Sequence, residues 1–514
     1  MKSQTIPTSS LPTNPIPKFV AAFAVLCHVA VSVTHGGPVA VPDVPAYLSV
    51  SQWLYGGVLP SDLPFHPGYG FLLGPVGFLS GDSLHSAALL MNALLAGVVV
   101  VLAATLCRDL GGPRGLQNVV AVVAALQPSV SAASRIGWPE TLLAVCLLLI
   151  ALLLEKEQWV MAGAITGLAI SFHPRVIVVL VALALTAVSR RRTLAAMKGI
   201  AIGCVPAFVM IGTTGSWPSA RLEAAQNLGD GVNPVATTAG QWLVLGAGTG
   251  GLAVLAIVSA CSARQVHASV LIVVSSALLM LFLGGWVLAG SARMDTLMYS
   301  RYIGPWAIPL TVIGLVAVYQ KTCNWWHIGM TLALTAAALW LALLERHEVT
   351  QKPRTIMTLD LGALWKLGDQ RLVTVAVLAL VTVTVGVVGS KYSISVPLFA
   401  LLLVAAPSTV LNHHHLHSVG QIADGQVTSA RLVPASVSCL SHDESVKSYA
   451  IWLYRLQLPQ IEHRRVDLSK GQRPCEPYVI SDPFLVENCS GTTLVHKEPR
   501  AKWGLFKYPP QGCR

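Results

Sequence analysis

Two carboxylates and four arginines in this sequence stand where an apolar run meets a polar turn, and these are the side chains that handle protons and phosphates. Asp43 lies in VPDVPAYLSVSQWLYGG (41–57), and Glu140 and Arg135 in SRIGWPETLL (134–143). Arg175 follows a proline in SFHPRVIVV (171–179), and Arg293 and Arg301 bracket MDTLMYS in the segment ending Arg301-Tyr302. A carboxylate within hydrogen-bond reach of a hydroxyl can act as general base. A guanidinium is a planar fork that matches phosphate oxygens. Each residue also has a structural reading. Asp43, between Pro42 and Pro45, can be a turn or helix N-cap residue. Glu140 opens an apolar run directly after Pro139, where a helix N-terminus favours negative charge, with Arg135 one turn away as its potential partner. His173 and Arg175 flank Pro174 and can snorkel to lipid headgroups. Asp62 (SDLP) and Asp82 (SGDS) sit in turn-like contexts and compete with Asp43.

The elements that must position these residues are membrane spans. Of 514 residues 54% are hydrophobic and 11% charged, the mean hydropathy is +0.64, and the apolar residues come in blocks. That composition belongs to an integral membrane protein and excludes a soluble globular one. Candidate spans are 18–35, 85–106, 116–133, 139–154, 159–173, 175–189, 198–214, 240–261, 268–289, 303–319, 327–344, 372–389 and 394–411, about thirteen in all. The first has no convincing cleavage site and reads as a retained span. The net charge of +11 forms no stripe with interleaved aromatics, so nucleic acid is not expected as a partner. Instead alternate loops are basic: Arg108 and Arg114, Lys156, Arg190 to Arg192 with Lys198, Arg264, Lys321. This predicts a cytoplasmic N-terminus (1–17) and a transmembrane domain (18–411). It puts the loops holding Asp43, Arg135, Arg175, Arg221 and Arg301 outside. An odd number of spans also sends residues 412–514 outside. It sends loop 345–371 there too, although that loop carries Arg346, Lys352, Arg354, Lys366 and Arg371.

Cysteines follow the same division. Cys27, Cys107, Cys146, Cys204, Cys261 and Cys323 lie in spans or near the predicted cytoplasmic face. Cys439, Cys475, Cys489 and Cys513 form an even set in the polar tail, which predicts a small extracytoplasmic domain with two disulfides of open connectivity. Within the first outer loop, 36–84, AYLSVSQWLYGG predicts a helix along the membrane surface with Trp53 and Tyr55 at headgroup level. The proline-broken apolar stretch 64–81, which contains His66, predicts a re-entrant or interfacial element. The run NHHHLH (412–417) would place His413, His415 and His417 on one face of an extended chain, but no acidic pair accompanies it and no metal site is assigned.

In order and context these pieces resemble the integral-membrane GT-C glycosyltransferases, which take sugars from polyprenyl-phosphate donors. The likeness runs from the first span through the acid-led outer loop (Asp43, Tyr47), FHPGYGFLLGP and SRIGWPETLL to Arg301-Tyr302, about the first three hundred residues. The resemblance implies an all-α polytopic fold and Asp43 as catalytic base. It accords with Arg301, Arg293, Arg175 and His66 as ligands of the donor phosphate, and with Tyr47, Glu140, Arg135, Tyr302 and His173 as acceptor or sugar contacts. No cofactor is required, since a phosphate leaves readily once its charge is met. The Ala-, Val- and Leu-rich vocabulary suggests an actinobacterial envelope enzyme, for which the resemblance implies decaprenyl phosphate carrying mannose or arabinofuranose. The acceptor would be a glycan, glycolipid or protein hydroxyl at the outer face of the plasma membrane. Two rival classes remain open: a lipid-linked polysaccharide polymerase or ligase, and a transporter or flippase, which would show internal repeats and ionisable residues within spans.

Overall fold

The computed structural model describes residues 14–509 apart from 35–36, 39–42, 61–65, 216–231, 264, 290, 292 and 487–490. In the membrane domain the chain forms α1 (Ile16–Val33), α2 (Asp43–Trp53), α3 (Gly68–Leu72), α4 (Gly81–Asp109), α5 (Arg114–Leu126) and α6 (Pro128–Ser131). There follow α7 (Glu140–Glu155), α8 (Trp159–Ala169), α9 (Val176–Ser189), α10 (Thr193–Thr214), α11 (Pro234–Gly248) and α12 (Leu252–Ser262). The last group is α13 (Ala268–Leu288), α14 (Gly304–Tyr319), α15 (Trp325–Leu344), α16 (Gly362–Leu367), α17 (Leu372–Gly389) and α18 (Ser395–Asp424). Helices dominate because hydrocarbon offers backbone amides no partner outside the helix. Among the described residues, seven helices are long and apolar enough to cross a membrane, or nine if each of two bent pairs is one span. The shorter apolar helices α8, α9 and α14 pack among them.

The helix ends gather into two sets. In one, the Gln320 amide donates to the Leu110 carbonyl, Glu155 pairs with His267, and His327 bonds Ser262. This face carries the basic turns. In the other, Gly68 donates to the Ser171 carbonyl, and Ser300 and Arg301 donate to the Met357 carbonyl. Loop 345–371 therefore shares a face with Arg175 and Arg301, as the span parity requires.

Three of the expected spans change. The continuous span expected at 240–261 is two helices, α11 and α12, meeting at 111° across 249–251. Gly250 and Gly251 have φ of +58° and +82°, and a Cβ on Gly250 would lie 2.5 Å from the Pro397 carbonyl oxygen, so only glycine turns here. The span expected at 116–133 bends by 48° around Gln127, the residue before Pro128. The last span does not stop at 411: α18 continues to Asp424, so His413 and His417 stack one turn apart on a helix and His415 points elsewhere.

The predicted surface helix is α2, yet residues 44–52 are buried. It is covered by α3 and by the C-terminal domain: Ala46 and Val50 pack on Trp452, and the Gln52 amide donates to the Leu456 carbonyl at 3.0 Å. Trp53 rests against Phe71, and Tyr55 is exposed. The C-terminal domain is a five-stranded sheet built from β1 (Cys439–Asp443), β2 (Glu462–Val466), β3 (Tyr478–Ser481), β4 (Thr493–Lys497) and β5 (Gly504–Lys507), in order β2-β1-β3-β5-β4. Helix α19 (Ser448–Gln457) covers it, with Tyr454 and Trp503 in its core. Cys439 and Cys475 form a disulfide. Cys489 and Cys513 lie outside the described residues.

Helix α8, which leads into the Arg175 turn, is held by small residues. Gly163 and Gly167 face Gly199 and Gly203 of α10 so closely that a Cβ on Gly199 would stand 2.0 Å from the Val160 carbonyl oxygen, and one on Gly203 2.0 Å from that of Ala164. This is the close approach that small-xxx-small spacing permits. Gly199→Val is expected to cost about 3 kcal/mol by overpacking. Gly212→Ala, where a Cβ meets nothing within 4 Å, is expected to leave the thermal midpoint of the detergent-solubilised protein unchanged or raised.

Candidate functional site

The site is built on a turn. After α6 the chain runs through a 3-10 turn to Gly137, at φ +83°, and then Trp138-Pro139-Glu140. Glu140 is the first residue of α7, where the helix dipole favours a carboxylate. Asn92 of α4 pins this turn: its amide donates to the Trp138 carbonyl at 2.8 Å and its oxygen accepts from the Tyr69 hydroxyl at 3.1 Å. Tyr47 of α2 meets the Tyr69 ring edge-on at 5.6 Å.

Two arginines converge on Glu140. Arg175 Nη2 donates to Oε1 at 2.8 Å and Arg301 Nε to the same oxygen at 2.7 Å. All three side chains are buried. Each guanidinium also lies over an aromatic face, Arg301 on Trp138 at 3.8 Å and Arg175 on Tyr302 at 4.6 Å, and Arg175 Nη1 donates to the Arg301 carbonyl at 2.9 Å. Planar stacking and forked donation fit arginine and not lysine. Glu140 Oε2, Arg175 Nε and Trp138 Nε1 are buried with no hydrogen-bond partner among the described residues, so the fold does not exhaust the polar capacity of the cluster. It can receive an anion at the arginines and a hydroxyl-bearing group at the carboxylate.

Other expected residues are placed as follows. The Asp43 side chain lies outside the described residues. Its backbone opens α2, and Val44 packs against the turn so that a Cβ on Gly137 would be 3.5 Å from Val44 Cγ1. The start of α2 therefore adjoins Glu140. Tyr302 is in the cluster. The buried His173 accepts from the Arg175 backbone N–H on Nδ1 at 3.1 Å, shaping the Arg175 turn. His66 is buried, with Nδ1 on the Ile170 carbonyl. Arg293 stands apart, paired with Asp295 at 3.2 Å. Arg135 is not Glu140's partner. It faces the other way, close enough to His28 of α1 and His413 of α18 for its charge to act on both. Of the competing acids, Asp62 lies outside the described residues, and Asp82 accepts from Gln457 at 2.6 Å, docking the C-terminal domain.

Sequence reasoning missed Tyr69, Asn92, Gln127 and Asp360. Asn92 had a signal, being a lone amide inside an apolar span. Asp360 had a weaker one, an acid in the loop whose basic residues conflict with outward placement. The buried Asp360 Oδ1 accepts from the Ser129 backbone N–H at 3.0 Å and from Gln127 Nε2 at 3.2 Å, and Gln127 also donates to the Gly248 carbonyl at 3.2 Å. Asp360 thus closes the breaks in both bent spans beside the Arg301 loop.

No family model and no curated protein matches the chain. Among solved structures, that of ArnT from Cupriavidus metallidurans in the apo state is similar over 95% of this chain and 97% of its own, with TM-score 0.54 and 15% identity. An oligosaccharyltransferase from Archaeoglobus fulgidus, tethered to an acceptor peptide through a disulfide, aligns over 97% of this chain and 75% of its own at TM-score 0.44 and 10% identity. The likeness to ArnT is one of fold, and the fold is a GT-C-like polytopic bundle with a small disulfide-bonded C-terminal domain.

Burial pushes the Asp360 carboxyl up to about 6. In the unfolded chain it titrates near ~4. Between those values the folded state holds more protons. The contribution to stability is therefore full below about pH 4 and is lost as pH rises through about 6, a change of about 3 kcal/mol. Asp360→Asn is expected to flatten that pH dependence of the thermal midpoint.

Proposed function

We propose that the protein is a membrane glycosyltransferase that moves a sugar from a polyprenyl-phosphate donor to an acceptor hydroxyl. The observation that carries this reading is the buried arginine pair clamped on Glu140, set on the loop face where α2 begins. Arg175 and Arg301 receive the donor phosphate, and their charge favours the leaving group as it departs. Asp43, the first residue of α2, takes the proton from the acceptor hydroxyl. The acceptor oxygen forms its bond to the anomeric carbon while the bond from that carbon to the phosphate oxygen breaks, and the electron pair leaves with polyprenyl phosphate. A single displacement inverts the anomeric configuration. Glu140, Tyr47, Tyr302 and His173 line the approach and contact the sugars. Two guanidinium groups supply the positive charge the leaving phosphate needs, so no resident metal or cofactor enters the scheme.

The GT-C-like fold supports this class of reaction. The finer assignments rest on sequence. Decaprenyl phosphate carrying mannose or arabinofuranose is the proposed donor, and an actinobacterial envelope glycan, glycolipid or protein hydroxyl the acceptor. The basic turns put the N-terminus in the cytoplasm, and the site and C-terminal domain outside the plasma membrane.

The test is turnover by purified protein in lipid vesicles with a panel of polyprenyl-phosphate sugars. Wild type is expected to release polyprenyl phosphate and give an inverted product by NMR, and Asp43→Asn to lower turnover about 10²-fold or more. Full turnover in folded Asp43→Asn removes that residue as base, and a retained configuration removes single displacement.

A further inference from the structure

Arg135 is 7% exposed, and among the described residues no carboxylate comes within ion-pair distance of it and its Nε has no hydrogen-bond partner. A buried guanidinium without a counter-charge costs several kcal/mol. Ser134 precedes it in the turn and bonds His28 of α1, and Cys27, His28 and His413 of α18 lie within range of its charge. The Ser134 hydroxyl bonds His28 Nδ1 at 3.1 Å, and Ser131 bonds Thr409 at 3.2 Å, so the turn, α1 and α18 are tied into one wall. The rings of His413 and His417 follow up α18, 6.5 Å apart. Beside this seam both helices turn large apolar side chains outward, Phe19, Phe23 and Leu26 on α1 and Phe399, Leu403 and Val410 on α18. A ligand reaching Arg135 therefore arrives along the lipid-facing surface.

We propose that Arg135, with Ser134, His28 and His413 around it, binds the phosphate of an anionic membrane lipid at the seam of α1 and α18, apart from the Glu140 cluster. The lipid phosphate supplies the missing counter-charge, and its chains lie against the exposed apolar faces. This does not rest on the glycosyl-transfer reading.

The experiment is lipid retention by native mass spectrometry of delipidated protein titrated with phosphatidylglycerol, phosphatidylcholine or inorganic phosphate. Wild type is expected to retain phosphatidylglycerol in preference to phosphatidylcholine, with about tenfold weaker retention in Arg135→Gln and an intermediate value in Arg135→Lys. Wild-type retention in folded Arg135→Gln overturns the proposal, as does equal retention of phosphatidylcholine. Displacement by equimolar inorganic phosphate shows a free-anion site and removes the lipid. Loss in Arg301→Gln but not Arg135→Gln moves the lipid to the Glu140 cluster and overturns the site. Should Arg135→Gln fail to fold, His413→Gln at its half-exposed position decides: weaker retention of phosphatidylglycerol supports the seam, and unchanged retention contradicts it.

Discussion

One carboxylate oxygen organises the face of this protein that carries Arg175 and Arg301. Glu140 Oε1 accepts from Arg175, 35 residues away, and from Arg301, 161 residues away, so three loops that share no local sequence meet at a point. Burying such a triad costs solvation and returns little net stability, but removing one partner leaves an unpaired buried charge worth several kcal/mol. The interaction therefore fixes geometry more than it adds stability. Both arginines reach the shared oxygen while lying flat on aromatic rings, and this leaves few rotamers open to either.

The fold around the triad exists to keep irregular backbone at that depth. Spans break at Gln127 and at 249–251, and each break exposes amides that hydrocarbon cannot satisfy. Gln127 bridges them, donating to Gly248 and to Asp360, and Asp360 also holds the Ser129 backbone N–H. Asp360 brings loop 345–371 with it, and that loop carries Ser300 and Arg301 on its Met357 carbonyl. The broken helices and the arginine site are thus one construction. The C-terminal domain covers it, with Leu456 bonded by Gln52 of α2 and Gln457 by Asp82 of α4.

The class of fold was legible because apolar blocks and basic turns are carried by local composition, and the two faces of the bundle divide where the charges divide. The site was half legible. Arg175, Glu140 and Arg301 each stood out as charges at span ends, but their pairing did not, because contacts across 35 and 161 residues leave no local periodicity. Arg135 is the instructive case. One turn from Glu140 along a helix it would be a neighbour, but Gly137 at φ +83° and Pro139 intervene and turn it toward α1. The 240–261 block read as a plain span because glycines at 250 and 251 look like small packing residues until a backbone turn shows why they must be glycine. Burial of α2 was hidden for a similar reason. Its cover comes from Trp452, some four hundred residues later.

The central claim is that the Glu140-clamped arginines form a receptor for a lipid-borne phosphate. It is tested most directly by equilibrium binding of a short-chain polyprenyl phosphate to purified wild type, Arg175→Gln and Arg301→Gln, with folding checked by thermal midpoint. Loss of a buried charge-assisted contact predicts binding at least about tenfold weaker in each variant. Wild-type affinity in both folded variants would contradict the account.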